Sequence, residues 1–362
     1  MNALRPGFYL LLMLIVSGSD RKLMSTFQAN QPSDWLASVT SVFERETARS
    51  MQEYHVPGVA IAVVEDGVVV WRQQFGIVDK SKDGKVASTT LFEACSLSKP
   101  LFAYGVLQLV EQGKLDLDKP LVEYLEKPYM KGDDRHKRVT ARMVLCHRTG
   151  FPNWRKGQLK NPTPPKLLYD PGSRFTYSGE GYTFLQVVVE KISGQPLDEF
   201  MRQNVLGPIG MKRSTYRWNE VTDVAAAAGH DGAGKLKTNK PRFKLPNAAF
   251  TLFTTPEEYA LYLIEMMCED RHASHSLSKV MRDDMLSRHS RGKSDGRWYG
   301  LGWAIIATDG GDEFYHGGAN GTGFRCFSWF DPRHHRGVVV MANSIGGATL
   351  HAELMKVSGI IP

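Results

Sequence analysis

The stretch that most constrains this chain is residues 101–110, Leu-Phe-Ala-Tyr-Gly-Val-Leu-Gln-Leu-Val, which offers almost no polar face. A helix that is apolar all round has to be enclosed by the rest of a domain. Gly113 supplies the stop, as a glycine just past the last turn commonly does. Pro100 is compatible with such a helix only within its first turn, so the helix has to begin a few residues earlier. Ser96 and Lys99 then fall in the opening turn, three residues apart and on one face. Whatever fold forms must wrap this helix and hold a hydroxyl beside an amine at its positive end.

That pairing is a possible nucleophile and base. A serine hydroxyl attacks well only when a neighbouring base takes its proton. Lysine serves as that base once burial and the helix N-terminus have lowered its pKa. The Ser-x-x-Lys pattern alone decides little, since it occurs at Ser19, Ser96, Ser276 and Ser290. Only the Ser96 copy opens a long apolar helix; the others lie in polar, loop-like surroundings.

The rest of the chain is that of an ordinary globular protein, and its +7 net charge is modest for 362 residues. The densest basic run, Arg135-His136-Lys137-Arg138, has no interleaved aromatics and reads as a solvated loop, so no nucleic-acid partner is expected. The cysteines at 95, 146, 268 and 326 have neither metal-ligand nor scaffold spacing, and Cys95 reads as a small buried residue at a strand end. The histidines at 272, 275, 289, 334 and 335 fall in polar stretches. No metal and no cofactor are expected. Phe8–Val16 is a nine-residue apolar run, too short to span a bilayer and suited to a secretory signal over residues 1–24. The expected location is periplasmic or secreted, or cytoplasmic if Met24 is the true start.

Helical spacing of Trp35, Val39, Val42 and Phe43 predicts a helix over 34–54. Residues 58–64 and 68–75 are β-rich runs joined through Asp66-Gly67, a hairpin signal, and the unbroken apolar first run suggests a strand covered on both faces. Helices are expected near 182–192, 197–205, 256–267 and 348–357, and strands over 300–306, 324–330 and 337–342. The fold class is therefore α/β (α+β): an antiparallel sheet flanked by helices and built from both chain ends. A mostly helical region is inserted, with a cleft between the two parts. One domain spans 25–362, with its sheet part at about 30–95 and 250–362 and its helical part at about 96–249.

Several stretches together resemble the serine β-lactamase and penicillin-binding protein superfamily, in its branch of class-C-like β-lactamases, D-peptidases and esterases. They are Ser96-Leu-Ser-Lys99 with Glu111–Pro120, Val144-Leu-Cys-His-Arg-Thr-Gly150, Pro171–Ser178, Tyr299–Trp303 and His316–Phe324. The resemblance implies that Ser96 is acylated, Lys99 is its base partner and Tyr177 shuttles a proton to the leaving group. A phenol beside an ammonium is expected to have a lowered pKa. The oxyanion donors it implies are the backbone N–H groups of Ser96 and Ala319, after His316-Gly317-Gly318. Two departures stand out. The family's second motif often reads Tyr-x-Asn, whose amide binds the substrate's amide group, whereas Gly179 stands here. Glu180, nearby, is a candidate to orient substrate, with an exposed loop carboxylate as the plainer reading. His316 stands where many β-lactamases carry a lysine that attracts the substrate's carboxylate, and a mostly neutral imidazole attracts anions less.

These readings converge on a serine hydrolase acting through an acyl-enzyme on small esters or amides, with a carboxylesterase preferred. A D-alanyl peptidase or weak β-lactamase is the alternative. A catalytically silent penicillin-recognition module is a third, disfavoured by the intact serine, lysine and tyrosine. A small-molecule substrate is the partner expected, with no stable membrane span; the oligomeric state is not legible.

Overall fold

The computed structural model describes residues 32–361 except 82–83, 158–162, 238–239, 241, 269–274 and 293–295. The segment expected to be a secretory signal, the Ser19 copy of the pattern, Lys293 of the Ser290 copy and His272 lie outside the described residues. The strands are β1 (Gly58–Glu65), β2 (Val68–Gly76), β3 (Phe92–Glu93), β4 (Phe253–Thr254), β5 (Ser290–Arg291), β6 (Trp298–Tyr299), β7 (Ala304–Thr308), β8 (Gly311–Ala319), β9 (Arg325–Asp331) and β10 (Arg336–Ala342). The helices are α1 (Asp34–Glu53), α2 (Ser98–Glu111), α3 (Ala141–Leu145), α4 (Gly179–Ser193), α5 (Leu197–Met201), α6 (Gly207–Ile209), α7 (Glu220–Ala225), α8 (Pro256–Met267), α9 (Lys279–Leu286) and α10 (Gly347–Val357).

Eight strands form one antiparallel sheet in the order β2-β1-β10-β9-β8-β7-β6-β5, so both chain ends build it as expected. β1 is buried along its whole length, and its neighbour pairing runs Val59 opposite Ala342 to Glu65 opposite Arg336. Strand side chains alternate between faces. Val59, Ile61 and Val63 therefore meet Phe43 of α1 and Leu350 and Leu354 of α10, while Ala60, Ala62 and Val64 join Tyr259 and Leu263 of α8 in the larger core. The turn at Asp66-Gly67 has φ +50° and +78°, the paired left-handed backbone of a type I′ hairpin.

Two boundaries differ from expectation. The run 300–306 is not one strand: the chain leaves the ladder between β6 and β7, where the Gly302 N–H donates to Leu145 O. The helix expected over 197–205 is α5 running into a single wide turn over Arg202–Leu206.

α2 lies in the larger core, with every residue from Ser98 to Leu109 buried. Three buried tyrosines fix its first turn: Tyr259 donates to Leu97 O at 3.0 Å, Tyr216 to Ser98 O at 2.8 Å and Tyr262 to Pro100 O at 2.9 Å. Each phenol meets its own hydrogen-bonding need by gripping the segment that carries the candidate nucleophile.

Candidate active site

Ser96 sits in a tight 3-10 turn, Cys95–Leu97, between β3 and α2, so the α-helix proper begins at Ser98, two residues past the serine. Cys95 is buried as expected, but it adopts φ +52°, a costly backbone for a residue with a side chain. Ser98 Oγ braces the turn by donating to Cys95 O at 2.6 Å and accepting from Leu252 N at 3.1 Å. Sharp strand-to-helix geometry of this kind presents Ser96 at a surface where it remains 9% exposed.

Lys99 is fully buried, and its Nζ lies 3.1 Å from Ser96 Oγ and 2.9 Å from Ala249 O. Both partners are neutral oxygens. Desolvation of the ammonium therefore dominates and brings the pKa down to about 7. The other serine–lysine copies differ in kind: Lys279 is exposed and ion-paired with Asp283 at 2.9 Å, and Ser290 Oγ is spent on Cys146 O.

Tyr177 approaches from the opposite wall. Lys99 Nζ stands 4.9 Å from its ring centroid, and the nearby Ser96 hydroxyl acts to lower the pKa of its phenol. The expected lowering of its pKa does not hold. Burial raises it, the Ser96 contact offsets only part of that, and an amine that is itself poised near 7 supplies little positive charge. Tyr177 is thus a neutral phenol over the physiological range.

His147, buried at φ +59°, lies against Tyr177 with tilted rings whose centroids are 4.2 Å apart, and accepts from Ser178 N through Nδ1 at 3.2 Å. Burial and the nearby Lys99 hold it well below the usual imidazole range. Sequence reasoning placed His147 in a familiar turn without giving it this task.

Glu180 is neither in an exposed loop nor free to orient a substrate. It is fully buried in the first turn of α4, with Arg155 Nη2 2.7 Å from Oε1, Arg155 Nε 2.8 Å from Oε2, and the Tyr129 hydroxyl donating to Oε1. Both oxygens serve the scaffold. Gly179, at the position of the family's asparagine, faces Trp154: a Cβ there would lie 2.4 Å from the indole ring. That indole is partly exposed, and its centroid is 5.8 Å from Lys99 Nζ. Nothing in the local sequence around Trp154 marks it, because it meets Gly179 from 25 residues away.

His316, Gly317, Gly318 and Ala319 end β8, paired with Ser328, Phe327, Cys326 and Arg325 of β9. Gly318 is required by packing: a Cβ would sit 2.5 Å from Ala94 O, so the strand could not close on the nucleophile turn. Gly317 faces open space and is exposed, as is Ala319. His316 is 4% exposed, with Nδ1 2.9 Å from Gly317 O. Burial and the Lys99 charge take its pKa down to about 3, far from the ordinary 6.5 that sequence alone suggests. Glu93 of β3, held by Asn320, ties the turn after β8 to the strand before Ser96, and burial pushes it up to about 7.

Three separate segments, the turn that opens α2, the turn before α4 and the end of β8, therefore bring Ser96, Lys99, Tyr177 and His316 to one cleft between the sheet and the helical region.

Known proteins share this arrangement of elements. The octameric penicillin-binding protein homologue from Pyrococcus abyssi is 26% identical, with TM-score 0.74 over 85% of this chain and 74% of its own. The β-lactamase/D-alanine carboxypeptidase from Pseudomonas syringae shares the fold at 17% identity and TM-score 0.75, over 88% of this chain and 99% of its own. Among curated relatives, Protein flp of Staphylococcus aureus (strain MW2) is 23% identical over 307 residues, 81% of this chain. This chain spans 61% of the length of that relative. The sequence matches the Beta-lactamase family over residues 43–355, and the chain belongs to that family.

Proposed function

We propose that the protein hydrolyses small carboxylic esters through an acyl-enzyme on Ser96. The observation that carries this reading is Lys99: fully buried and 3.1 Å from Ser96 Oγ, where desolvation brings its pKa down to about 7. Neutral Lys99 takes the Ser96 proton as Oγ bonds to the ester carbonyl carbon. The oxygen gaining negative charge is met by the backbone N–H groups of Ser96 and Ala319. As the carbonyl–alkoxide bond breaks, the proton on Lys99 reaches the leaving oxygen through Tyr177, whose raised pKa keeps it a proton donor. Water then repeats the sequence on the acyl-serine. The ester preference is supported by Trp154 filling the space beside Gly179, and by an imidazole at 316 that stays uncharged.

A D-peptidase or β-lactamase activity is the second reading, favoured by membership of the Beta-lactamase family. Labelling with a fluorophosphonate and with a fluorescent penicillin separates the two. The ester reading expects fluorophosphonate labelling without penicillin labelling, lost in Ser96→Ala and retained in Ser276→Ala and Ser290→Ala. Penicillin labelling at Ser96 transfers the assignment to the second reading. Labelling that survives Ser96→Ala removes the nucleophile.

A further inference from the structure

Trp154 belongs to neither the nucleophile turn nor the tyrosine turn, yet it is built into the cleft with unusual care. The segment 152–155 is laced to the start of α4 on both sides of the indole. Ser178 Oγ donates to Pro152 O at 2.9 Å, Gly179 N to Asn153 Oδ1 at 3.0 Å, and Glu180 N to Asn153 O at 3.0 Å. The buried Arg155–Glu180 pair closes the far side. A partly exposed tryptophan is thereby held in one place, with its ring edge where any side chain at 179 would begin. Behind it Phe250 meets the indole edge-on at 5.1 Å, and Phe243 meets Phe250 likewise at 5.1 Å. Trp154 therefore stands beside Lys99 with two further rings packed in series behind it.

We infer that Trp154 is a specificity-determining residue that selects esters whose acyl side carries a flat apolar group, such as an arylacetyl chain, and disfavours acylamido chains. This rests on the ester-hydrolase reading. An amide on the substrate needs both a donor and an acceptor, whereas an indole has one N–H and no acceptor, so the amide N–H of such a chain would lose its water without replacement. An aryl or alkyl chain gains burial and ring contacts there. The Arg155–Glu180 pair and Asn153 are then positioning residues for the wall.

The test is a set of kcat/KM ratios for p-nitrophenyl phenylacetate, acetate and N-acetylglycinate. The phenylacetate-to-acetate ratio should fall about ten- to a hundredfold in Trp154→Ala and Trp154→Leu, the range for losing apolar pocket contacts, and be largely kept in Trp154→Phe. Trp154→Leu refills the space, so the test survives if the alanine variant does not fold. Adding Gly179→Asn to Trp154→Gly should raise the N-acetylglycinate-to-phenylacetate ratio further. Unchanged ratios in the leucine variant would overturn this inference while leaving ester hydrolysis intact. A wild type that turns over no ester and takes no fluorophosphonate would instead sink the function itself, and this inference with it.

Discussion

Two helices begin in the cleft, and each buries a charged side chain in its opening turns, with opposite consequences. Lys99 near the start of α2 is surrounded by Ser96 Oγ, Ala249 O and aromatic faces, none of which carries a balancing charge. Glu180 at the start of α4 has a guanidinium and a phenol on its two oxygens. Burial without a counter-charge drives a group toward its neutral form and makes it a base; burial with one fixes the charge and makes it a clamp. The same low-dielectric setting yields a reactive residue on one wall and a structural one on the other.

The largest expected effect breaks the reactive side. Lys99→Ala should lower the acylation rate about 10²–10⁴-fold, the range for losing a proton-transfer partner, with folding retained. Stopped-flow acylation by an activated ester measures it. In the wild type, kcat/KM should rise with pH through about 7 as Lys99 loses its proton. Glu93, also pushed up to about 7, shares that window, and Glu93→Gln separates the two because only the lysine is the base. A Glu93→Gln profile that loses its acid limb would assign that limb to Glu93 and overturn the lysine assignment.

The stability signature has the opposite sign from that of an ordinary surface lysine. With a folded pKa near 7 against 10.5 unfolded, the unfolded chain binds more protons between those values. Stability from this group therefore rises from about pH 7 towards 10.5 and is lowest below 7.

The reactive side was legible in sequence and the clamp was not, for a physical reason. An all-apolar helix opened by Ser-x-x-Lys constrains its own burial, so Ser96 beside Lys99 follows from spacing within four residues. β1, the Asp66-Gly67 hairpin and α8 were likewise read from local pattern. Glu180 looked like a loop carboxylate because its partners, Arg155 and Tyr129, are 25 and 51 residues away. Trp154 against Gly179 and the tyrosine grips on α2 are similar: each depends on long-range packing that no local period encodes. The expected lowering of the Tyr177 pKa failed through the same gap, since burial depth rather than the nearest charge decides it.

A smaller effect tests the clamp. Glu180→Ala leaves Arg155 facing an empty buried site and should destabilise the protein by about 3 kcal/mol, as breaking a buried pair does. Arg155 keeps some exposure, so the cost belongs at the low end of that range. Urea unfolding at pH 7 measures it. Glu180→Leu with Arg155→Met should recover much of the loss, because removing both charges also removes both desolvation penalties. Ester kcat/KM in Glu180→Gln should stay within about tenfold of wild type, far above Lys99→Ala. A fall in activity matching that of the lysine variant, with stability unchanged, would make Glu180 a catalytic residue and dissolve the contrast.

The smallest effect concerns His316, where sequence alone suggests protonation near pH 6.5. The structure moves that event down to about 3, since burial and the Lys99 charge both oppose an imidazolium. The imidazole is therefore uncharged from pH 5 upward and cannot begin to attract anions as the solution is acidified. Protonation of Lys99 below about 7 does place a positive charge in the cleft, but that form has lost its base and contributes nothing to kcat/KM for any substrate. The ratio of kcat/KM for a carboxylate-bearing ester to that for a neutral ester should accordingly stay flat, within about twofold, between pH 5.5 and 8. This bound is small beside the roughly fivefold change that a single charge interaction of about 1 kcal/mol could produce. His316→Gln, which keeps a hydrogen-bonding side chain and cannot ionise, should leave the flat profile as it is. A wild-type ratio that climbs as pH falls through 6.5, and is levelled by glutamine, would mean that His316 is charged in the working enzyme. Lys99 would then not be alone in being tuned by burial without a counter-charge, because the cleft would be wet enough to solvate an imidazolium beside it.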